Sequence, residues 1–282
     1  MLQMIHPEHD APRHPQFLAS DHLNDGKAHL LLAASGSVAT IKIPAILKAL
    51  SHHPNLSIIV LLTKSATSFL QGQSAEQPHF AHFHRIPNVQ AVYLDEEEWI
   101  RPWKRGAGIL HIELRRWADV LVVAPLSANT LAKVVGGFAD NLLLSVIRAW
   151  DTTGIIDPLR LPHSTMSQSA ASEGTAADGG NGEVVVGGEG SALPKRKKRI
   201  LVAPAMNTAM WRHPITMKQI KVLEDEWGVE GEQSEGEGWF EVLRPMEKEL
   251  ACGDIGDGAM KDWREIVKII EQRLGLDDQG TM

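Results

Sequence analysis

The chain has a single cysteine, Cys252, so an internal disulfide framework is excluded and a reducing compartment is expected. It has no apolar run approaching the roughly 20 residues that a membrane-spanning helix needs. Its first 27 residues mix His, Pro, Asp and Asn and lack the apolar stretch of a signal peptide. It has no surplus of positive charge: the formal net charge is −7, which argues against an electrostatic nucleic-acid binder. It has no G-x-G-x-x-G turn, so a dinucleotide site of that kind is disfavoured. No metal site is expected either. What is present suffices for one sizeable core: 282 residues, 43% of them hydrophobic, with 22% charged residues for an ordinary soluble surface. The expectation is an intracellular, cytoplasmic protein with no membrane or nucleic-acid partner.

Three segments read as additions to that core. Residues 1–27 read as a flexible tail, and the polar end from 276 to 282 as a short one. Residues 155–199 read as a Ser/Gly/Ala-rich insert that buries too little apolar area to offset its ordering entropy. The insert ends in Pro194-Lys-Arg-Lys-Lys-Arg199, which reads either as a nuclear localisation signal or as a solvated linker end. The remaining core domain, 28–275, alternates short continuous apolar runs with helical periodicity. Strands are expected at 29–34, 56–62, 89–94, 120–124 and 200–203, and helices at 38–53, from 65, after 130, at 208–227 and at 262–274. This pattern predicts an α/β fold, a doubly wound parallel sheet with helices on both faces, whose ligands sit beyond the carboxyl ends of the strands.

The loops at those ends carry the candidate chemistry. Ser35-Gly36-Ser37-Val38 places a glycine and hydroxyls at a strand-to-helix turn, where unpaired N–H groups suit a phosphate. Thr63-Lys64-Ser65 repeats the arrangement with a cation, and Ser127-Ala128-Asn129-Thr130 crowds hydroxyl and amide groups behind Pro125. Each of these alone reads equally as a turn or an N-cap. After the fifth strand, Asn207 stands between Met206 and the Met210-Trp211 pair, where its amide can meet a carboxylate while apolar neighbours exclude water. His111 opens a helix whose Ile112, Leu114 and Trp117 can face the sheet. Histidine suits the role of a base near neutral pH; otherwise His111 is a surface or structural residue. Cys252 lies in the glycine-dense stretch Ala251-Cys-Gly-Asp-Ile-Gly-Asp-Gly-Ala-Met260, suited to a mobile loop in which a thiol can exchange a proton.

Taken together, Ala34-Ser-Gly-Ser-Val-Ala39, His111-Ile-Glu-Leu-Arg-Arg-Trp-Ala-Asp119, Ala124-Pro-Leu-Ser-Ala-Asn-Thr130, Ala139-Asp-Asn-Leu-Leu143, Pro204-Ala-Met-Asn-Thr-Ala-Met-Trp211 and Ala251–Met260 resemble one family. It is the homo-oligomeric flavin-containing cysteine decarboxylases, most closely their eukaryotic phosphopantothenoylcysteine decarboxylase branch, of the fungal type. The resemblance implies a flavodoxin-like fold and FMN held by Gly36, Ser37, Val38, Thr63, Lys64, Ser65, Ser127, Ala128, Asn129, Thr130 and Ala203. It implies His111 as base, Cys252 as proton donor, and Asn207, Met206 and Ala251 at the substrate. The implied reaction converts 4'-phospho-N-pantothenoylcysteine to 4'-phosphopantetheine, on the way to coenzyme A. Oxidation of the substrate's Cβ–S unit by FMN gives a thioaldehyde, whose sulfur accepts the electron pair released with CO2 as an ene-thiolate. Cys252 then protonates the ene-thiolate as the hydride returns, so the net reaction is not oxidative.

The family's trimers, with the site between subunits, imply self-association here, alone or with a paralogue. A competing reading comes from fungal members that act as inhibitory subunits of protein phosphatases, which would make a phosphatase catalytic subunit a partner. Retention of His111, Asn207 and Cys252 together favours the enzyme. The departures from the family pattern are the N-terminal tail, the 155–199 insert and Ile255, where relatives often carry an aromatic residue.

Overall fold

Strands β1 (Ala28–Ala34) and β2 (Leu56–Leu62) are runs of small and branched apolar residues buried on both faces, as a central parallel sheet requires. They pair in parallel from Ala28 opposite Leu56 to Ala34 opposite Leu62. With β3 (Val89–Leu94), β4 (Val120–Leu126), β5 (Arg199–Pro204) and β6 (Phe240–Val242) they form one six-stranded parallel sheet in the order β3-β2-β1-β4-β5-β6. The computed structural model describes residues 17–100, 102–157, 197–229, 238–249 and 255–276. Strand order was not legible in the sequence; it reverses between β1 and β4, which places the switch point of this doubly wound α/β fold there.

Helices cover both faces, with α2 (Lys64–Thr67) a single turn directly after β2. One face carries α3 (Leu110–Trp117), α4 (Ala128–Val135) and α5 (Leu142–Arg148), packed on Leu31, Ala33, Ile59 and Val123. The other carries α1 (Ile43–Leu50) and the last helix, Trp263–Leu274, packed on Leu30, Leu32, Val60 and Val122. In α1 the buried Ile43, Ile46, Leu47 and Leu50 form a stripe at the helical repeat.

Proline sets two boundaries that periodicity misplaces. The helix expected over 38–53 opens as a 3-10 turn, Val38–Lys42, and becomes α-helical only where Pro44 can occupy its first turn. The helix expected over 208–227 is broken into α6 (Thr208–Arg212), α7 (Pro214–Lys221) and a π-helical turn, Val222–Glu226. The break falls at His213, held extended (ψ 134°) by the proline that follows. The final helix is α8. An antiparallel hairpin of β7 (Met246–Glu249) and β8 (Ile255–Ala259), which the sequence pattern does not announce, precedes it.

The segment expected as a tail over 1–27 is packed from residue 17 onward. Phe17 meets Tyr93 and Trp117 edge-on, Ala19 is buried, and the Ala19 N–H donates to Glu113 Oε2 at 2.8 Å. Glu113, rather than Ile112, is therefore a buried residue of α3 together with Leu114 and Trp117. The edges of the expected insert are anchored too. Asp151 accepts from the N–H groups of Thr153, Gly154, Ile156 and Asp157 and from the Thr153 hydroxyl. Lys198 is buried and donates to the carbonyls of Arg115 and Arg116 at the end of α3. Two members of the basic run, Lys198 and Arg199, thus belong to the folded sheet edge, and most of the insert lies outside the described residues. Among the described residues no helix is long and apolar enough to cross a membrane.

Candidate active site

Four loops meet at the carboxyl edge of the sheet, around the switch point. Ser35 joins the loops after β1 and β4: its N–H and hydroxyl both donate to the Pro125 carbonyl at 3.0 Å, and its Oγ accepts from the Ser127 N–H at 2.8 Å. The Thr63 N–H donates to the Ala34 carbonyl at 3.1 Å, tying in the loop after β2. At Gly36 an added Cβ would stand 2.4 Å from Ser65 Oγ, so only glycine lets these two loops touch. The loop after β5 is fixed by the Ala205 N–H donating to the Leu126 carbonyl at 3.0 Å. Gly36, Ser37, Val38, Thr63, Lys64, Ser65, Ser127, Ala128, Asn129, Thr130 and Ala203 are thereby gathered along one edge.

Within this edge the polar side chains divide. Ser127 and Thr63 are N-caps: Ser127 Oγ accepts from the Thr130 N–H at 3.3 Å, and Thr63 Oγ1 from the Ala66 N–H at 3.3 Å. Lys64, Ser65 and Asn129 are exposed, and the first-turn N–H groups of α4 at Ala128 and Asn129 have no helical acceptor. Asn207 combines both roles. Its Oδ1 accepts from the Met210 N–H at 2.8 Å, which assigns the amide orientation, because an N–H cannot accept. Its NH2 group is left with two donors at the exposed start of α6, flanked by the buried Met206 and Trp211. Next to it, Thr208 Oγ1 is buried with no hydrogen-bond partner among the described residues, an orphan that a ligand's polar group would satisfy.

The hairpin closes on the same loop. The Met206 N–H donates to the Gly258 carbonyl at 3.0 Å, a Cβ at Gly258 would stand 2.2 Å from the Met206 carbonyl oxygen, and Arg212 pairs with Asp257 at 3.2 Å. Ala251 and Cys252 fall between β7 and β8 in the sequence and lie outside the described residues.

His111 stands at the start of α3, and no hydrogen bond among the described residues joins it to the four loops. Its Nδ1 lies 2.9 Å from Glu98 Oε1. A carboxylate accepts, so Nδ1 carries the proton and Nε2 keeps its lone pair in the neutral ring. Glu98 belongs to the 3-10 turn Asp95–Trp99 after β3, whose Asp95 accepts from the Lys64 N–H at 2.9 Å. Burial lifts the Asp95 carboxyl above the usual carboxylate range, although the backbone N–H groups of Lys64 and Leu142 pull it down. Sequence reasoning missed Glu98 and Asp95 as site residues, whose only signal was the acidic run Asp95–Glu98 at a strand end, and it named Ser35 and Gly258 within their loops without the contacts that make them matter.

The donor set fits the expected FMN: a glycine contact between loops, exposed first-turn N–H groups, free hydroxyl and amide groups, and an orphaned threonine hydroxyl. The flavoprotein family model matches residues 18–164 and 190–275, breaking off inside the expected insert. The chain is 37% identical to a phosphopantothenoylcysteine decarboxylase of Arabidopsis thaliana over 84% of this chain and 80% of the relative. A solved cysteine-to-serine mutant of a PPC decarboxylase, complexed with pantothenoylaminoethenethiol, covers 87% of this chain and 97% of its own, at TM-score 0.57 and 34% identity. A solved FMN binding protein, AtHal3, covers 90% of this chain and 100% of its own, at TM-score 0.58 and 35% identity. A Schizosaccharomyces pombe relative, named a probable thymidylate synthase, is 33% identical over 96% of this chain, which spans only 33% of that relative's length.

Proposed function

The chain belongs to the flavoprotein family, among its phosphopantothenoylcysteine decarboxylases, and from that membership we propose that it decarboxylates 4'-phospho-N-pantothenoylcysteine to 4'-phosphopantetheine with bound FMN. The observation that carries this reading is Asn207: its cap bond consumes the acceptor and leaves both amide donors at a strand end, where they can receive the substrate carboxylate. When bound, the flavin supplies reversible two-electron oxidation of the substrate's carbon–sulfur unit. His111, with Nδ1 held by Glu98, takes the thiol proton on Nε2. Asn207 orients the carboxylate while Met206 and Trp211 keep its surroundings apolar. The electron pair left by CO2 would pass into the adjacent thiocarbonyl as an ene-thiolate, and the proton from Cys252 together with the hydride equivalent returned by the flavin would complete the thiol product. An ene-thiol held by a cysteine-to-serine mutant of a relative is what this assignment of Cys252 expects. The docking of β8 against the Met206 carbonyl keeps that strand, whose first residue follows Cys252 closely in sequence, beside the Asn207 loop.

The active form in this reading is a trimer with the site between subunits. Val38, Phe138 and Met210 are large exposed apolar residues in or beside the site's own loops, and Trp99, Ile100 and Trp103 are exposed near His111. Association would cover them. In this reading the catalytic domain spans 28–275 and the chain works in the cytoplasm. The test is to purify the chain, reconstitute it with FMN and assay CO2 release from the substrate with no external oxidant. Retained yellow flavin with stoichiometric CO2 and 4'-phosphopantetheine is expected. A protein that cannot be loaded with flavin, or a loaded one that releases no CO2, overturns the reading.

A further inference from the structure

At the opposite, amino edge of the sheet, His52 and His53 follow the last turn of α1, and Glu271 reaches them from α8. The ligand atoms of the three side chains all lie within 4.8 Å of one another. His53 Nε2 is 2.9 Å and His52 Nε2 is 4.0 Å from the same carboxylate oxygen, Glu271 Oε1. The two rings lie with centroids 3.8 Å apart, tilted by 39°. We infer that His52, His53 and Glu271 form a binding site for one divalent transition-metal ion of the zinc class, outside the flavin site and joining α1 to the final helix.

Three features argue for more than an ion pair. The first is the orientation of His52. Its Nδ1 lies 2.5 Å from the Ala49 carbonyl, which only accepts, so Nδ1 carries the proton and Nε2 offers a lone pair toward the cluster. A ring held through its second nitrogen by a carbonyl is how metal-ligating histidines are fixed. The second is spacing. Tetrahedral zinc with bonds of about 2.0–2.1 Å to nitrogen and oxygen places its ligand atoms about 3.3 Å apart. The separations of 2.9 and 4.0 Å straddle that value, so side-chain rotations alone close the site.

The third is the scaffold. The Leu50 side chain before the histidines and Ile270 before Glu271 are both fully buried, and α1 and α8 pack on the same face of the sheet. The two ends that supply ligands are therefore rigid with respect to each other. Side-chain exposure falls from 66% at His52 to 12% at His53 and 15% at Glu271. The site is open on the His52 side, which leaves a fourth position for water. Two imidazoles and one carboxylate suit zinc, copper or nickel and suit the hard magnesium ion poorly.

The experiment is calorimetric titration of zinc chloride into the flavin-loaded full chain, beside its His52→Gln variant and the His52→Gln/Glu271→Gln double variant. One equivalent in the parent chain should weaken at least tenfold in His52→Gln and vanish in the double variant. Magnesium chloride should give no matching heat. His52 is exposed, so its replacement leaves the fold intact, and unchanged CO2 release by His52→Gln would confirm that. Zinc should also raise the melting temperature of the parent chain and leave that of the double variant unmoved. Equal zinc stoichiometry and affinity in the parent chain and the double variant would overturn the site, as would the absence of saturable binding.

Discussion

His29 and His111 show the difference between the two edges of the sheet. His29, near the amino end of β1, is 1% exposed; its Nδ1 meets the Trp117 carbonyl and its Nε2 meets Asp25 Oδ2 at 2.9 Å, while the ring stacks on Trp117. His111 has one ring nitrogen held by Glu98, and its side chain is 21% exposed. The same contrast runs through other residues. At the amino edge Asp119 accepts from the His29 N–H, Lys198 closes the end of α3 and Asp151 is enclosed by donors. At the carboxyl edge Asn207 keeps two donors and Thr208 keeps an orphaned hydroxyl. These polar groups closed on the protein hold the fold, whereas the spare capacity of Asn207 and Thr208 lies where the strand-end loops leave room for a ligand. Residue type alone does not separate them.

The largest expected effect breaks the comparison between the histidines. His111→Asn should lower the rate of CO2 release by about 10²–10⁴-fold, the usual contribution of a general base, with flavin still bound. His29→Gln should lower thermal stability and leave the turnover of the folded fraction unchanged. A variant at His29 that lost turnover as steeply as one at His111 would erase the distinction. Gly36→Ala should follow in size: the added methyl meets Ser65 Oγ, and flavin retention after gel filtration should drop while the secondary structure by circular dichroism holds.

Asp151 sharpens the amino-edge side. Burial raises its carboxyl, but the Asp157 N–H, the Thr153 hydroxyl and N–H and the Ile156 N–H together lower it to about 2 from 3.8. A depressed acid contributes stability above its unfolded value and loses it as the pH falls toward the folded one. The contribution should be about 2 kcal/mol at neutral pH and disappear between about pH 4 and pH 2. Asp151→Asn should therefore lower the melting temperature at pH 7 by roughly 4–8 °C, and its deficit should shrink in acid. Melting curves of both proteins across that window check it. Lys198→Met should have the smallest effect, about 1 kcal/mol, from the unpaired carbonyls at the end of α3.

The central strands were legible because continuous apolar runs leave few alternatives to a buried parallel sheet, and Leu56–Leu62 falls where the sequence placed it, as does the edge strand Val89–Leu94 with its alternating burial. The breaks before Pro44 and at His213 were also written in the sequence, but helical periodicity masked them. The three residues of β6 were too short to carry a pattern, and the β7–β8 hairpin is polar and rich in glycine. In the site, residues near one another in sequence were readable, such as Ser127 to Thr130. Pairings across the chain were not: nothing in a linear reading joins Glu98 to His111, Ser35 to Ser127 or Gly258 to Met206. The packing of residues 17–27 escaped for the same reason, since Glu113 lies 94 residues beyond Ala19 and Trp117 lies further still from Phe17.

The most direct test of spare capacity as the mark of function is CO2 release by the flavin-loaded Asn207→Asp variant. Aspartate caps a helix as asparagine does, so α6 and the fold should persist, while both donors give way to a carboxylate that repels the substrate's own. Losing a hydrogen bond to a charged group, about 1.5–3 kcal/mol, predicts a fall in kcat/KM of at least tenfold at unchanged flavin content. Parent-like kcat/KM in that variant would contradict the account.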